Sequence, residues 1–140
     1  MRKRRLYFSC ALTGLPPEHR ERMIALRESL AEYFEILRFC SPDEPPEDIY
    51  HHDIHVCVET CDLLLAICNE PSTGLGWELS TSVEKLGKPT LAVAHVNARV
   101  TPIVMGAKYP HYEFSRYFSA SDILAMVLDF EKRQFAMQNE

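Results

Sequence analysis

The sequence of 140 residues has no long uninterrupted apolar segment. No stretch approaches the roughly 18 apolar residues that a membrane-spanning helix needs. The basic residues Arg2–Arg5 are not followed by the apolar region of a signal peptide. We therefore expect no membrane association and a cytoplasmic location. The length is typical of one domain, so a single domain over residues 1–140 is predicted.

Excess positive charge and a disulfide framework are also missing. Fifteen Lys and Arg against twenty Asp and Glu give a net charge of -5, which disfavours a nucleic-acid partner because such binding depends on neutralising phosphates. The five cysteines are odd in number and lie mostly in apolar segments, which predicts free core thiols and a reducing compartment: Cys10, Cys40, Cys57, Cys61 and Cys68. A small molecule is the expected ligand.

Apolar periodicity predicts alternating strands and helices. Strands are predicted over residues 6–12, 35–39, 63–68, 90–96 and 112–114, and helices over residues 18–34, 47–60, 77–86 and 121–135. This order predicts an α/β fold. We expect a doubly wound, flavodoxin-like sheet of about five mainly parallel strands with helices on both faces. Ligands of such sheets bind beyond the carboxyl ends of the strands.

The segment after the predicted central strand contains several residues suited to ligand binding. Gly74 and Gly76 precede a helix predicted to begin near Trp77, and glycine lets the backbone approach a ligand closely. Ser72 is placed to bond a phosphate or a sugar hydroxyl. Glu78 is predicted in the first helical turn, near the edge of the sheet, where the helix dipole favours an ionised carboxylate. The same position is also typical of ordinary helix stabilisation.

Asp53 is the second carboxylate of interest. Residues spaced three and four apart lie on one face of a helix. By this spacing Asp53 is predicted to lie within an otherwise apolar stripe, which consists of Ile49, Asp53, Val56, Cys57 and Thr60. Burial raises a carboxyl pKa, as a general acid at neutral pH requires. Asp53 and Glu78 would then divide the acid and nucleophile roles. The alternative is that Asp53 only bonds a backbone amide or an arginine.

Three motifs together resemble the nucleoside 2-deoxyribosyltransferase family, including its 2'-deoxynucleoside 5'-phosphate N-hydrolase branch. They are residues 61–66 (CDLLLA), 71–79 (PSTGLGWEL) and 87–89 (GKP). The resemblance implies that Glu78 attacks the anomeric carbon of a nucleoside or nucleotide and forms a covalent glycosyl-enzyme. Water or a second base would resolve this intermediate, and Asp53 would assist departure of the first base. We expect no cofactor and no metal.

The same resemblance implies which residues bind the substrate. In the N-hydrolase branch Ser72 would contact the 5'-phosphate, and the loop that follows Ser9 would surround it. Gly74 and Gly76 belong to the same motif. Residues 99–106 are similar to the part that reaches a neighbouring subunit's active site. A homodimer or larger homo-oligomer with shared active sites is therefore implied, with Thr101 among the substrate-binding residues.

Other functions stay open at this point. A non-catalytic nucleotide-binding sensor would use the same crevice without turnover, and a flavin-binding electron carrier would share the architecture. A zinc site at the histidines and cysteines of the predicted helix 47–60 is disfavoured because its two i,i+4 pairs project from different faces. The sequence does not fix the base, the sugar, the need for a 5'-phosphate, or the choice between hydrolysis and transfer.

Overall fold

The computed structural model of the protein describes residues 2–11, 15–38, 41 and 43–136. Its five strands are β1 (Arg5–Cys10), β2 (Glu35–Leu37), β3 (Leu63–Ile67), β4 (Thr90–His95) and β5 (Tyr112–Tyr117). They form one sheet in the order β2-β1-β3-β4-β5, and every neighbouring pair is parallel. This order confirms the predicted flavodoxin-like α/β fold.

Helices cover both faces of the sheet. The helices are α1 (Pro17–Leu30), α2 (Pro46–Tyr50) with a π-helical continuation (His51–Val58), α3 (Thr73–Ser80) with a π-helical continuation (Thr81–Lys85), α4 (Pro102–Gly106) and α5 (Ala120–Phe135). One apolar core lies between the sheet and helices α1 and α5. The other lies beneath α3 and the two π-helical segments. Alternate residues of a strand point to opposite faces, so β1 contributes to both cores.

Helix α3 begins at Thr73 and not near Trp77 as predicted. Ser72 occupies the N-cap, where its Oγ accepts a hydrogen bond from the Leu75 N–H at 3.1 Å. Gly74 and Gly76 therefore lie inside the helix. Glu78 consequently belongs to its second turn, so the predicted first-turn position was wrong. The helix dipole acts mainly within the first turn and does not favour ionisation here.

The predicted apolar stripe around Asp53 was also partly wrong. The segment after α2 is π-helical, with i→i+5 hydrogen bonds and a wider turn than an α-helix. Val56 and Thr60 are exposed, whereas Ile54 and Val58 are buried in the core. The wider turn changes which positions share one face, which three- and four-residue spacing does not foresee.

The other helix boundaries differ from the predictions only slightly. Helix α1 ends at Leu30, and the chain reaches β2 through a turn. Helix α5 is capped by Ser119 and not by Ser121, because Ser119 and Asp122 form a capping box. The predicted strand end at Phe39 lies outside the described residues.

The sequence predicts that no helix spans a membrane and that the cysteines are free core thiols. Across the described ranges, no helix is long and apolar enough to cross a bilayer. The four described cysteines, Cys10, Cys57, Cys61 and Cys68, are buried and free. Cys40 lies outside the described residues. The prediction of core thiols is therefore confirmed for those four.

The Gly87-Lys88-Pro89 motif has a structural role. Gly87 adopts a left-handed conformation (φ 62°) that ends the helix before it. The Lys88 ammonium then donates hydrogen bonds to the carbonyl oxygens of Glu59 at 2.6 Å and Cys61 at 2.7 Å. These carbonyls follow the π-helical segment His51–Val58. The motif thus ties the end of that helix to the segment that leads into β4.

We predict that Lys88→Met lowers the free energy of unfolding by about 2 kcal/mol, the usual worth of hydrogen bonds to a charged group. Urea denaturation at pH 7 measures the change. Lys85→Met is the matched control, because Lys85 is exposed and belongs to the neighbouring helical segment. Equal stability of the two variants would contradict the structural role given to Lys88.

Candidate active site

The carboxyl group of Glu78 lies between helix α3 and strand β1. Glu78 has an ionisable side chain, yet the residue is only 9% exposed. Tyr7 and Ser9 are alternate residues of β1, so their side chains point to the same face of the sheet, toward α3. The prediction that Glu78 sits near the sheet edge and not deep inside was therefore wrong.

Two hydroxyl groups hold this carboxylate. The Tyr7 hydroxyl donates a hydrogen bond to Oε2 of Glu78, and Ser9 Oγ donates one to Oε1 at 2.9 Å. A carboxylate can accept about four hydrogen bonds, so lone pairs remain for a ligand. Ser9, predicted to bind substrate, is thus a direct partner of Glu78. Tyr7 was not predicted as a site residue; the available signal was two hydroxyl residues in alternation within an apolar strand.

Burial dominates the acid–base behaviour of the pair. Burial raises the pKa of Glu78 to about 7 from 4.5, while the hydrogen bonds from Tyr7 and Ser9 act in the opposite direction. Burial, followed by the charge of Glu78, raises the pKa of Tyr7 above its ordinary value, so the phenol stays protonated. The site therefore holds a carboxyl group that titrates near neutral pH and a hydroxyl that remains a donor.

Asp53 belongs to the same electrostatic environment. Its negative charge contributes to raising the pKa of Glu78, Tyr7 and Cys57. Its residue is half-buried, on the π-helical segment that packs near α3. The structure therefore brings the charges of the two predicted carboxylates within electrostatic reach of each other. The role of Asp53 as an acid stays a prediction.

The neighbouring thiols are unsuited to nucleophilic chemistry. Burial raises the pKa of Cys57 to about 12 and that of Cys61 to about 11, so both thiols are protonated at neutral pH.

His52 Nε2 lies 2.8 Å from the Arg38 carbonyl oxygen and 3.5 Å from Cys57 Sγ. Within the described ranges, no group of three or more His, Cys, Asp or Glu side chains is arranged to hold a metal ion.

The remaining predicted substrate-binding residues are not among the described side-chain hydrogen-bond partners of Glu78, which are Tyr7 and Ser9. Ser72 is half-buried and caps α3. Gly74 and Gly76 face open space, since an added Cβ at either would meet nothing within 4 Å. Thr101 is exposed at the N-terminus of α4. Part of the loop after Ser9, residues 12–14, lies outside the described residues. Substrate binding by these residues stays a prediction.

We predict that Glu78→Gln becomes more stable relative to the wild type as pH rises from 5 to 8. A folded-state pKa of about 7 against 4.5 means that the folded protein binds the proton more tightly, so ionisation destabilises it across that window. The difference in the free energy of unfolding between Glu78→Gln and the wild type approaches about 3 kcal/mol, since each unit of pKa shift corresponds to roughly 1.4 kcal/mol. Urea denaturation at both pH values measures it, with exposed Glu21→Gln as the control. Parallel pH profiles for wild type and Glu78→Gln would contradict the buried carboxyl.

Comparison with solved structures shows where this fold occurs. A CMP N-glycosidase from Clostridium botulinum aligns at 17% identity and a TM-score of 0.67, over 88% of this chain and 97% of that chain. A 2-desoxiribosyltransferase from Leishmania mexicana aligns at 19% identity and a TM-score of 0.51, over 65% of this chain and 64% of that chain. A lysine decarboxylase from Francisella novicida aligns at 9% identity and a TM-score of 0.54, over 93% of this chain and 17% of that chain.

At these identities the likeness concerns the fold alone. A scan against protein-family models and a search of curated protein sequences each found no match. The N-glycosidase and the 2-desoxiribosyltransferase are both of the nucleoside 2-deoxyribosyltransferase-like family. The chain has the fold of these two enzymes, and its predicted resemblance to the nucleoside 2-deoxyribosyltransferase family is confirmed at the level of the fold.

Proposed function

We propose that this protein cleaves the N-glycosidic bond of nucleosides or nucleoside 5'-monophosphates through a covalent bond between the sugar and Glu78. The observation that carries the proposal is a buried carboxyl group between two hydroxyl donors, with a pKa of about 7. The shared fold with a CMP N-glycosidase and a 2-desoxiribosyltransferase supports the same class of substrate.

In the first step a carboxylate oxygen of Glu78 attacks the anomeric carbon of the sugar. The bond from that carbon to the base nitrogen breaks, and the base leaves with the electron pair. Asp53, in its protonated form, donates a proton to the departing base, directly or through a water beside it, and is left ionised. The product of this step is a glycosyl ester on Glu78 and a free base.

The environment of Glu78 suits this step electrostatically. The transition state of glycoside cleavage carries positive charge on the sugar. A carboxylate deprived of bulk water gains more from a nearby positive charge than an exposed one does, because the local dielectric is low. The hydroxyls of Tyr7 and Ser9 fix the orientation of the carboxylate without neutralising it. Its interaction with the sugar therefore strengthens as charge develops.

In the second step an acceptor attacks the same anomeric carbon, the ester bond breaks with its electron pair returning to the Glu78 carboxylate, and the ionised Asp53 takes the acceptor's proton. Water as the acceptor gives hydrolysis, and a second base gives transfer. Ser72, Gly74 and Gly76 line the approach to the sugar or its 5'-phosphate in this proposal. Thr101 acts from a neighbouring subunit, so the working form is a homodimer or larger homo-oligomer. The free thiols fit a reducing, cytoplasmic location.

Base release by wild type and its loss in Glu78 variants test the proposal. We expect Glu78→Gln and Glu78→Ala to reduce kcat by at least about a thousandfold, because the covalent step is removed. The assay separates free base from nucleosides and 5'-monophosphates of cytidine, uridine, adenosine and guanosine and their 2'-deoxy forms. Runs with and without an acceptor base distinguish transfer from hydrolysis.

Glu21→Gln serves as the control, since Glu21 is exposed on α1 and lies apart from the site. Mass spectrometry of the wild type, quenched early, should show one added sugar on a peptide that contains Glu78. Binding of nucleotides by both wild type and Glu78→Ala, with base release by neither, would favour the nucleotide-binding sensor and reject catalysis.

We predict that Tyr7→Phe lowers kcat/KM more at pH 6 than at pH 9. The Tyr7 hydrogen bond lowers the pKa of Glu78, so its removal raises that pKa and leaves less carboxylate at pH 6. Nucleophilic attack needs the ionised form, so activity falls as pH drops through this pKa. The expected loss at pH 6 is about tenfold, given what a hydrogen bond to a charged group contributes. The pH profile of kcat/KM measures it.

Ser9→Ala should shift the acidic limb of the same profile in the same direction, because the Ser9 hydrogen bond also lowers the pKa of Glu78. Tyr109→Phe is the control, since the Tyr109 hydroxyl bonds Glu84 on the exposed surface. A Tyr7→Phe loss that is the same at both pH values would assign Tyr7 to packing and not to the control of Glu78.

A further inference from the structure

One cavity of the protein does not contain the Glu78 site. Its volume is about 750 Å³, and it lies over the carboxyl ends of four strands, between helices α1 and α5. Its floor consists of residues from the core on the α1 and α5 side, such as Cys10, Leu26 and Ile67. Glu78, with its partner Tyr7, belongs to the opposite face of the sheet. Neither residue lines the cavity.

The rim of the cavity is held rigidly. Asn69 follows β3, and its side chain donates to the Tyr117 hydroxyl at 2.5 Å and accepts from the His95 N–H at 2.7 Å. These bonds join the ends of β3, β4 and β5. Asn97 N–H donates to His95 Nδ1 at 3.1 Å, so Nε2 carries the ring proton and is a donor. A preformed rim lowers the entropic cost of binding a ligand.

The polar groups of the lining include one guanidinium and one acid. His19 and Arg22 lie on α1, and Arg22 forms no ion pair within the described ranges. The hydroxyls of Ser119 and Ser121 lie at the opposite wall, at the start of α5. Glu70 is exposed at the rim. An apolar floor with an unpaired guanidinium at its edge suits a ligand with an apolar body and one negative group.

An exposed aromatic side chain lies at the cavity. Phe118 lines the cavity and yet is 79% exposed. The neighbouring Tyr117 is buried and contacts the His95 ring edge-to-face, with ring centroids 5.6 Å apart. A large aromatic ring left in water beside an apolar cavity gains from covering by another ring. The occupant is therefore expected to contain a ring.

We propose that this cavity is a second ligand site, which binds a small ring-containing anion, a carboxylate or a phosphate monoester, separately from the Glu78 site. The apolar ring lies on the floor formed by Met23, Leu26 and Leu124 and beneath Phe118. The anionic group is bound by Arg22 and by donors near it. This inference does not depend on the proposed function, because it concerns binding on the other face of the sheet.

Titration of the ¹⁵N-labelled protein with 1-naphthyl phosphate, 1-naphthoate and uncharged 1-naphthol at pH 8 tests the proposal. We expect amide shifts in α1 and at the start of α5, and tighter binding of an anion than of 1-naphthol. The relative affinities of the two anions identify the preferred group. Shifts confined to Tyr7, Ser9 and Glu78, or no saturable shifts, would overturn the proposal.

Charge variants locate the anionic group. Arg22→Gln should weaken binding of the preferred anion about fivefold, while 1-naphthol binding changes little, as expected for an exposed cation that pairs with a ligand. Arg22→Lys should keep most of the affinity. Arg20→Gln makes the same charge change on the same helix outside the lining and should have no such effect. Equal losses in Arg20→Gln and Arg22→Gln would reject recognition by Arg22.

Two further variants separate the cavity from the Glu78 site. Leu124→Trp should abolish binding of all three probes by filling the cavity, and Ala120→Leu is a milder substitute if Leu124→Trp unfolds. Glu78→Gln should leave the dissociation constants unchanged within about twofold, since the sheet separates this charge from the ligand. Markedly tighter anion binding by Glu78→Gln would place the probe at Glu78 and overturn the proposal. Titration requires no turnover, so it still decides this question if base release is never observed.

Discussion

The burial of one carboxyl group organises the site of this protein. Moving a charge out of water costs several kcal/mol unless hydrogen bonds or an opposite charge replace the lost solvation. Glu78 is buried, and within the described ranges it forms no ion pair. Two hydroxyl donors compensate only in part, which leaves its pKa near 7. A group of this kind gains most from a partner that becomes positive, and the sugar of a breaking glycosidic bond does so.

The sheet order explains why Glu78 meets these hydroxyls. Strand β1 lies next to β3, and helix α3 follows β3 directly. A right-handed crossover returns such a helix across one face of the sheet. Glu78 then lies over β1, whose alternate residues Tyr7 and Ser9 point to that face. The site is therefore a product of strand order and strand alternation together. The same alternation turns Cys10 toward the other face, where the α1 and α5 cavity lies.

The fold by itself does not select an activity. The alignment with part of a lysine decarboxylase covers at least as much of this chain as the alignment with an N-glycosidase does. The two enzymes nevertheless catalyse different reactions. Activity on a shared fold depends on the side chains of the site. In this protein the side chains form two separate arrangements on opposite faces. One is a buried carboxylate between hydroxyls, and the other is an open cavity with an apolar floor and an arginine that forms no ion pair with any described residue.

The sequence by itself determined the fold class and the approximate elements, because apolar periodicity is a local property of the chain. It also singled out Glu78 and Asp53, since motif spacing survives in the linear order. Only the tertiary structure showed that Tyr7, 71 residues from Glu78 in the chain, donates to its carboxylate.

The start of α3 and the π-helical turns were likewise decided by tertiary structure. Local propensity places Gly74 and Gly76 before a helix, whereas capping by Ser72 and packing against the sheet keep both glycines inside it. The wider turn after α2 buries Ile54 and exposes Val56, against the α-helical spacing. Local pattern thus fixes which elements form, and long-range packing fixes where they begin, which face they bury and how strongly an acid holds its proton.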